Sequence, residues 1–211
     1  MDYVTIEQFK TILLNQPLEE TVQKHIFSGH PFAFRANPST LTVLTNHLNK
    51  QLNLQPTNIC VVGSGKTGFS LNPNNFPRRF SSSSDIDVIA IDQLMFDTVW
   101  TTLLKWHYPR RRAKLYGDDR LWIGHRKSDL YWGWFVPDKI RFDGLSFPSV
   151  LKPIRDISAN WFNAFQSLSQ LDEFLGRNVS GRLYRTWDHA VLYHVEGLRL
   201  LSRIVKNGIA H

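Results

Sequence analysis

Apolar residues recur at helical spacing in several stretches of the chain and crowd into short β-branched runs in two others. Thr5 stands ahead of Phe9, Ile12 and Leu13 as a capping residue would, and Pro17 opens a second helical segment through Leu18, Val22 and Ile26. Gly29-His30-Pro31 ends that segment. Ser39-Thr40 then precede Leu41, Val43, Leu44, His47, Leu48 and Leu52, a third helical pattern stopped by Pro56-Thr57-Asn58. Phe96 to Trp106 and residues 151–176 also read as helical, the latter turning Trp161, Phe165, Leu168, Leu171 and Phe174 inward. Leu183, Trp187, Val191, His194, Leu198, Leu201 and Val205 share one stripe, which predicts a long last helix ended by Asn207-Gly208.

Two runs break this periodicity. Ile59 to Val62 is compact and β-branched, and Asp85 to Ile91 is a second strand. Residues 71–84, rich in Asn, Pro, Arg and Ser, read as a surface loop, and the Trp and Tyr residues from Leu121 to Val136 suggest further strands. The expected fold is α+β. Helices at 1–56 pack on a core at 57–150, and a helical region at 151–211 completes one compact unit.

Composition narrows the classes. The 211 residues suffice for one domain with a substantial core. No window approaches the roughly 18–20 apolar residues of a membrane span, so no membrane partner is expected. Met1-Asp2-Tyr3-Val4-Thr5-Ile6-Glu7 lacks the basic flank of a secretory signal, and a single cysteine, Cys60, excludes an internal disulfide. A reduced, cytoplasmic setting is the expectation. Lys and Arg number 25 against 18 Asp and Glu, a net charge of +7 that favours polyanionic partners.

The chemistry gathers where the two strands end and begin. The first lands on Gly63-Ser64, followed by Gly65 and Lys66. Glycine lets backbone approach a ligand closely, successive amides make a concavity for phosphate oxygens, and Lys66 adds charge. On the second strand, Asp85 and Asp87 are two apart and so share a sheet face, a disposition suited to Mg2+ or Mn2+ with substrate phosphates. Two such ions about 3.5–4 Å apart activate an attacking hydroxyl and neutralise a leaving pyrophosphate.

Val62-Gly63-Ser64 followed by Ser84-Asp85-Ile86-Asp87-Val88 resembles the signature of the nucleotidyltransferase superfamily related to DNA polymerase beta. The resemblance spans roughly residues 41–106. It implies a core with a small mixed β-sheet and transfer of a nucleoside monophosphate from an NTP to a hydroxyl of nucleic acid, nucleotide or protein. Gly63 and Ser64 would hold the triphosphate, and Asp85 and Asp87 the metal. It also admits a partner protein in an antiviral defence or toxin–antitoxin pair. The 20 residues between Ser64 and Asp85 exceed the usual spacing, making 71–83 an insertion. Members normally add a third carboxylate on a later strand. Asp143 is favoured for it because Ile140, Phe142 and Gly144 alternate, with Asp129 the other candidate. A catalytically inactive nucleotide or nucleic-acid binding module of the same fold is the alternative.

Three further patterns compete. Gly63 to Thr67 resembles the end of a P-loop, but Cys60 stands where that loop needs glycine. Arg182 and His189 match the loose spacing of HEPN ribonucleases, and His194 on the apolar stripe reads as a core histidine. Arg110, Arg111, Arg112 and Lys114 form the best candidate patch for nucleic acid.

Overall fold

A computed structural model describes residues 3–110, 128–140 and 149–208. The chain begins with helix α1 (Ile6–Asn15), started by a capping box. The Thr5 hydroxyl accepts from the Gln8 amide at 3.2 Å, and the Gln8 side chain accepts from the Thr5 amide at 2.9 Å. Helix α2 (Leu18–Thr21) runs into a π-helical turn (Val22–Phe27), which buries Val22 and Ile26. Helix α3 (Thr40–Leu52) buries Leu44, Leu48 and Leu52 and ends on Asn53 at φ 56°.

Strand β1 (Ile59–Val62), the five-residue helix α4 (Gly63–Thr67), strand β2 (Ile86–Ile91) and helix α5 (Gln93–His107) follow. Strand β3 (Trp134–Phe135), helix α6 (Lys152–Ser169), strand β4 (Val179–Tyr184) and helix α7 (Trp187–Lys206) complete the order. The fold is therefore α+β with a small mixed sheet, ordered β1-β2-β4-β3. β2 pairs antiparallel with β1 and parallel with β4, and β3 closes antiparallel on β4. Parallel neighbours need a long crossover, and the chain between β2 and β4 supplies it with α5 and α6.

Alternation along the strands divides the core between the two sheet faces. Val61, Val88, Ala90, Val179 and Leu183 join α3, α5 and α6, centred on the fully buried Trp161. Cys60, Val62, Ile89, Ile91 and Tyr184 turn the other way and meet α1, the π-helical turn and α7.

Two expectations need correction. β4 lies within a segment read as wholly helical. Leu183 belongs to this strand, and α7 starts at Trp187 behind a Thr186 cap. The sheet thus draws its fourth strand from beyond residue 150. The described part of the Trp- and Tyr-rich stretch holds a helical turn at 128–131 and only the two-residue β3. The 71–84 segment is a largely exposed loop, as expected, and is pinned to the body of the protein at Phe76. Phe76 is 7% exposed and packs on Phe69, while Phe69 bridges to Arg79 and the Ser70 amide donates to the Arg78 carbonyl at 2.8 Å.

Gly181 shows how tightly the sheet meets α6. A Cβ there would lie 2.2 Å from Cζ of Phe165. Gly181→Ala should therefore destabilise the protein by about 1–3 kcal/mol through overpacking. Urea denaturation checks this, and an unchanged midpoint would refute the packing described.

Candidate functional site

The local sequence forces a sharp turn at the end of β1. Gly63 adopts φ +61°, a left-handed conformation that admits glycine readily, and turns the chain into α4. Val62 is the register partner of Asp87, so this turn falls beside the second acid. A Cβ on Gly63 would stand 3.0 Å from Oδ2 of Asp87. The backbone at Gly63 and the Asp87 carboxylate are direct neighbours, with Ser64 half-buried alongside.

Asp85 immediately precedes β2, and both acids are exposed on one sheet face. On the far side of β2, Ser180 of β4 is the register partner of Asp87, and its hydroxyl donates to Oδ1 at 3.3 Å. Although open to solvent above, the Asp87 carboxyl is crowded by the strands on either side. That desolvation holds its pKa above the ordinary value. The Ser180 hydrogen bond counteracts it, Asp85 reinforces it, and Arg182 pulls it back.

The same face of β4 carries Arg182 and Tyr184. The Arg182 guanidinium lies 4.5 Å from the Trp134 ring centroid and 4.4 Å from that of Tyr193, and it donates to the Tyr184 hydroxyl at 3.3 Å. The strand beside the acids thus offers a serine and an arginine and no carboxylate. Among the described residues, no group of three or more His, Cys, Asp or Glu side chains is placed to hold a metal. Asp85 and Asp87 fit magnesium as two hard oxygen ligands whose remaining positions substrate phosphates and water would fill.

The other predicted residues disperse. Gly65 is buried, its Cα side facing Val61, Ala33 and Phe80. Lys66 is 5% exposed and aims away from the acids, donating to the Ser28 and Gly29 carbonyls at 2.5 Å each. That bonding also removes it from the phosphate role a P-loop would require. Asp129 sits in the helical turn at 128–131, and Arg110 closes the Tyr108–Arg110 turn. Asp143, Arg111, Arg112 and Lys114 lie outside the described residues. Arg182 is on a strand, and the His189 ring bonds the Thr186 hydroxyl at 2.7 Å, so the two do not form a helical pair.

Ser180 and Arg177 were not among the residues expected at the site, and Arg182 was expected only as the partner of His189. The alternation of Val179, Gly181 and Leu183 with Ser180, Arg182 and Tyr184 was the available signal, masked by a mid-strand glycine. Arg177 donates to the carbonyls of Ser81 at 2.8 Å and Ser82 at 2.5 Å, anchoring the serine run that leads to Asp85. No family model, curated protein or solved structure matches the chain. Among the described residues, no helix is long and apolar enough to cross a membrane.

Two outcomes follow from this geometry. Gly63→Ala places a side chain in the left-handed region, at about 1–2 kcal/mol, and drives it towards Asp87. A lowered urea midpoint is expected, and an unchanged one would refute the close approach. Burial pushes His194 down to about 4, and the Arg182 charge acts in the same direction. The folded state thus binds fewer protons than the unfolded state between pH 4 and the ordinary value of 6.5, so stability falls as pH drops through that window. His194→Gln should flatten this part of the stability–pH profile. A profile as steep as the wild type would contradict it.

Proposed function

We propose that the surface formed by Gly63, Ser64, Asp85 and Asp87 is a metal-dependent nucleotidyltransferase site that takes an NTP and passes its nucleoside monophosphate to a hydroxyl acceptor. The observation that carries this reading is the contact of Gly63 with Asp87 across the β1–β2 register, which joins a close-approach backbone turn to paired acids. The Gly63 turn sets backbone against the Asp87 carboxylate, and the Ser64 hydroxyl is suited to donate to phosphate oxygens beside it. Asp85 and Asp87 would hold magnesium, with Ser180 orienting the Asp87 carboxylate through its hydrogen bond. When bound, magnesium supplies charge neutralisation for the phosphates and favours ionisation of the acceptor hydroxyl. In the transfer, the acceptor oxygen bonds to the α-phosphorus as the bond to pyrophosphate breaks, and the acceptor's proton passes to solvent. The chain's contribution is positioning and electrostatics, as in phosphoryl-type transfer generally.

A second reading, nucleotide binding without transfer, is favoured by Ser180 and Arg182 on the strand beside the acids, where an acceptor-activating carboxylate would be expected. The net charge of +7 supports a polyanionic acceptor or partner for either reading, with Arg110, Arg111, Arg112 and Lys114 as its candidate contact. A cytoplasmic setting and a defence-pair partner remain parts of the proposal.

The test uses α-labelled NTPs with magnesium, alongside an Asp85→Ala/Asp87→Ala variant. Transferase activity predicts magnesium-dependent label transfer and pyrophosphate release by the wild type, both lost in the variant. Magnesium-dependent binding without transfer, weakened at least about tenfold in the variant, would support the second reading. Absence of magnesium-dependent nucleotide binding would contradict both.

A further inference from the structure

Arg177 ties the approach to β4 to the chain that leads into Asp85. Its Nη1 donates to the Ser81 and Ser82 carbonyls at 2.8 and 2.5 Å, and its guanidinium lies 4.9 Å from the Phe80 ring centroid. The Phe80 ring meets Phe32 edge-on, with 6.2 Å between centroids. Over Phe32 stands a second guanidinium, that of Arg35, 4.0 Å from the ring centroid and donating through Nη1 to the Phe32 carbonyl at 3.1 Å. Two arginines are thus held on one aromatic pair. This row borders the candidate site. A Cβ on Gly65, the residue after Ser64, would stand 3.8 Å from Cε2 of Phe80. Ser84, whose carbonyl also accepts from Arg177 Nη1 at 3.5 Å, directly precedes Asp85.

A guanidinium carries five N–H donors, and the fold uses only Nη1 of each. Among the described residues, Nε and Nη2 of Arg35 and Arg177 have no hydrogen-bond partner, and no carboxylate pairs with either side chain. These donors reach water, since Arg35 is exposed and no nitrogen of the half-buried Arg177 is both covered and unpartnered. Arg78 and Arg79, just before Phe80, are exposed and likewise without a carboxylate among the described residues. Arg155, Arg185 and Arg199, by contrast, each have one. Uncompensated positive charge in fixed positions, on a chain of net charge +7, fits a polyanion whose charges repeat along its length.

We propose that this row binds single-stranded nucleic acid, with phosphates on the free guanidinium donors and unpaired bases against the guanidinium planes and the half-buried Phe32 and Phe80 rings. An unpaired strand suits the surface because a duplex keeps its base faces stacked on one another. The strand passes beside Ser64 and Asp85. Its role as hydroxyl acceptor rests on the transferase reading, whereas its binding does not.

The experiment measures the fluorescence anisotropy of labelled oligo(dT) and oligo(U), about 12 nucleotides long, with the full chain and magnesium but no NTP. At least one should bind with a Kd in the micromolar range or below at low salt, and weaken at least about fivefold when salt rises about fourfold. A duplex of the same length should bind at least about threefold more weakly. Arg35→Gln/Arg177→Gln should weaken the strand at least about tenfold. If that variant fails to fold, Arg35→Gln/Arg79→Gln should weaken it instead. Lys50→Gln/Arg203→Gln, which removes the same charge from exposed positions elsewhere, should stay within about twofold of the wild type. Strand binding without label transfer would uphold this surface and refute the transferase reading alone. Absence of saturable binding, equal affinity for the duplex, equal weakening by Lys50→Gln/Arg203→Gln, or undiminished binding by a folded Arg35→Gln/Arg177→Gln or Arg35→Gln/Arg79→Gln protein would overturn the proposal.

Discussion

The pairing of β2 with both of its neighbours is the constraint on which the site depends. One register line runs from Val62 through Asp87 to Ser180. It sets the Gly63 turn against one carboxylate oxygen of Asp87 and the Ser180 hydroxyl against the other. Because side chains alternate along a strand, a slip of one residue would send both acids into the core and bring Ile86 and Val88 to the surface. Burial of Ile86 and Val88 at 1% and 2% exposure opposes that slip. The hydrophobic core thus fixes the acids without touching them.

The same sheet face serves two purposes along its length. Towards the end of β2 and β4 it is closed by the layer of α1, the π-helical turn and α7, where Ile89, Ile91 and Tyr184 are buried. At their start it opens, and Asp85 and Asp87 stand exposed. Arg182 occupies the boundary, held between Trp134 and Tyr193. A guanidinium there offsets the repulsion between the acids, and its aromatic clasp restricts its movement. This arrangement suits a site that holds negatively charged substrate next to carboxylates.

Much of the framework was legible where local pattern and tertiary role agree. The capping box at Thr5, the apolar spacing of α3 and the β-branched run of β1 carried their signals within a few residues. β4 was hidden because Gly181 interrupts its β-branched character, and Leu183 lies four residues before Trp187, as if on one helical stripe. That glycine exists for the Phe165 ring, a long-range requirement invisible to local pattern. Gly63 and Asp87 were expected in one site through the resemblance, and their adjacency rests on the antiparallel pairing of β1 with β2. The direction of Lys66 had no such signal, since it depends on carbonyls at Ser28 and Gly29 far earlier in the chain.

The most direct measurement is a crystal structure of the protein with magnesium and a non-hydrolysable NTP analogue. Phosphate oxygens are expected against the Gly63-Ser64 turn, with at least one magnesium ion coordinated by both Asp85 and Asp87. Ordered nucleotide elsewhere, with these two carboxylates bound only to solvent, would contradict it.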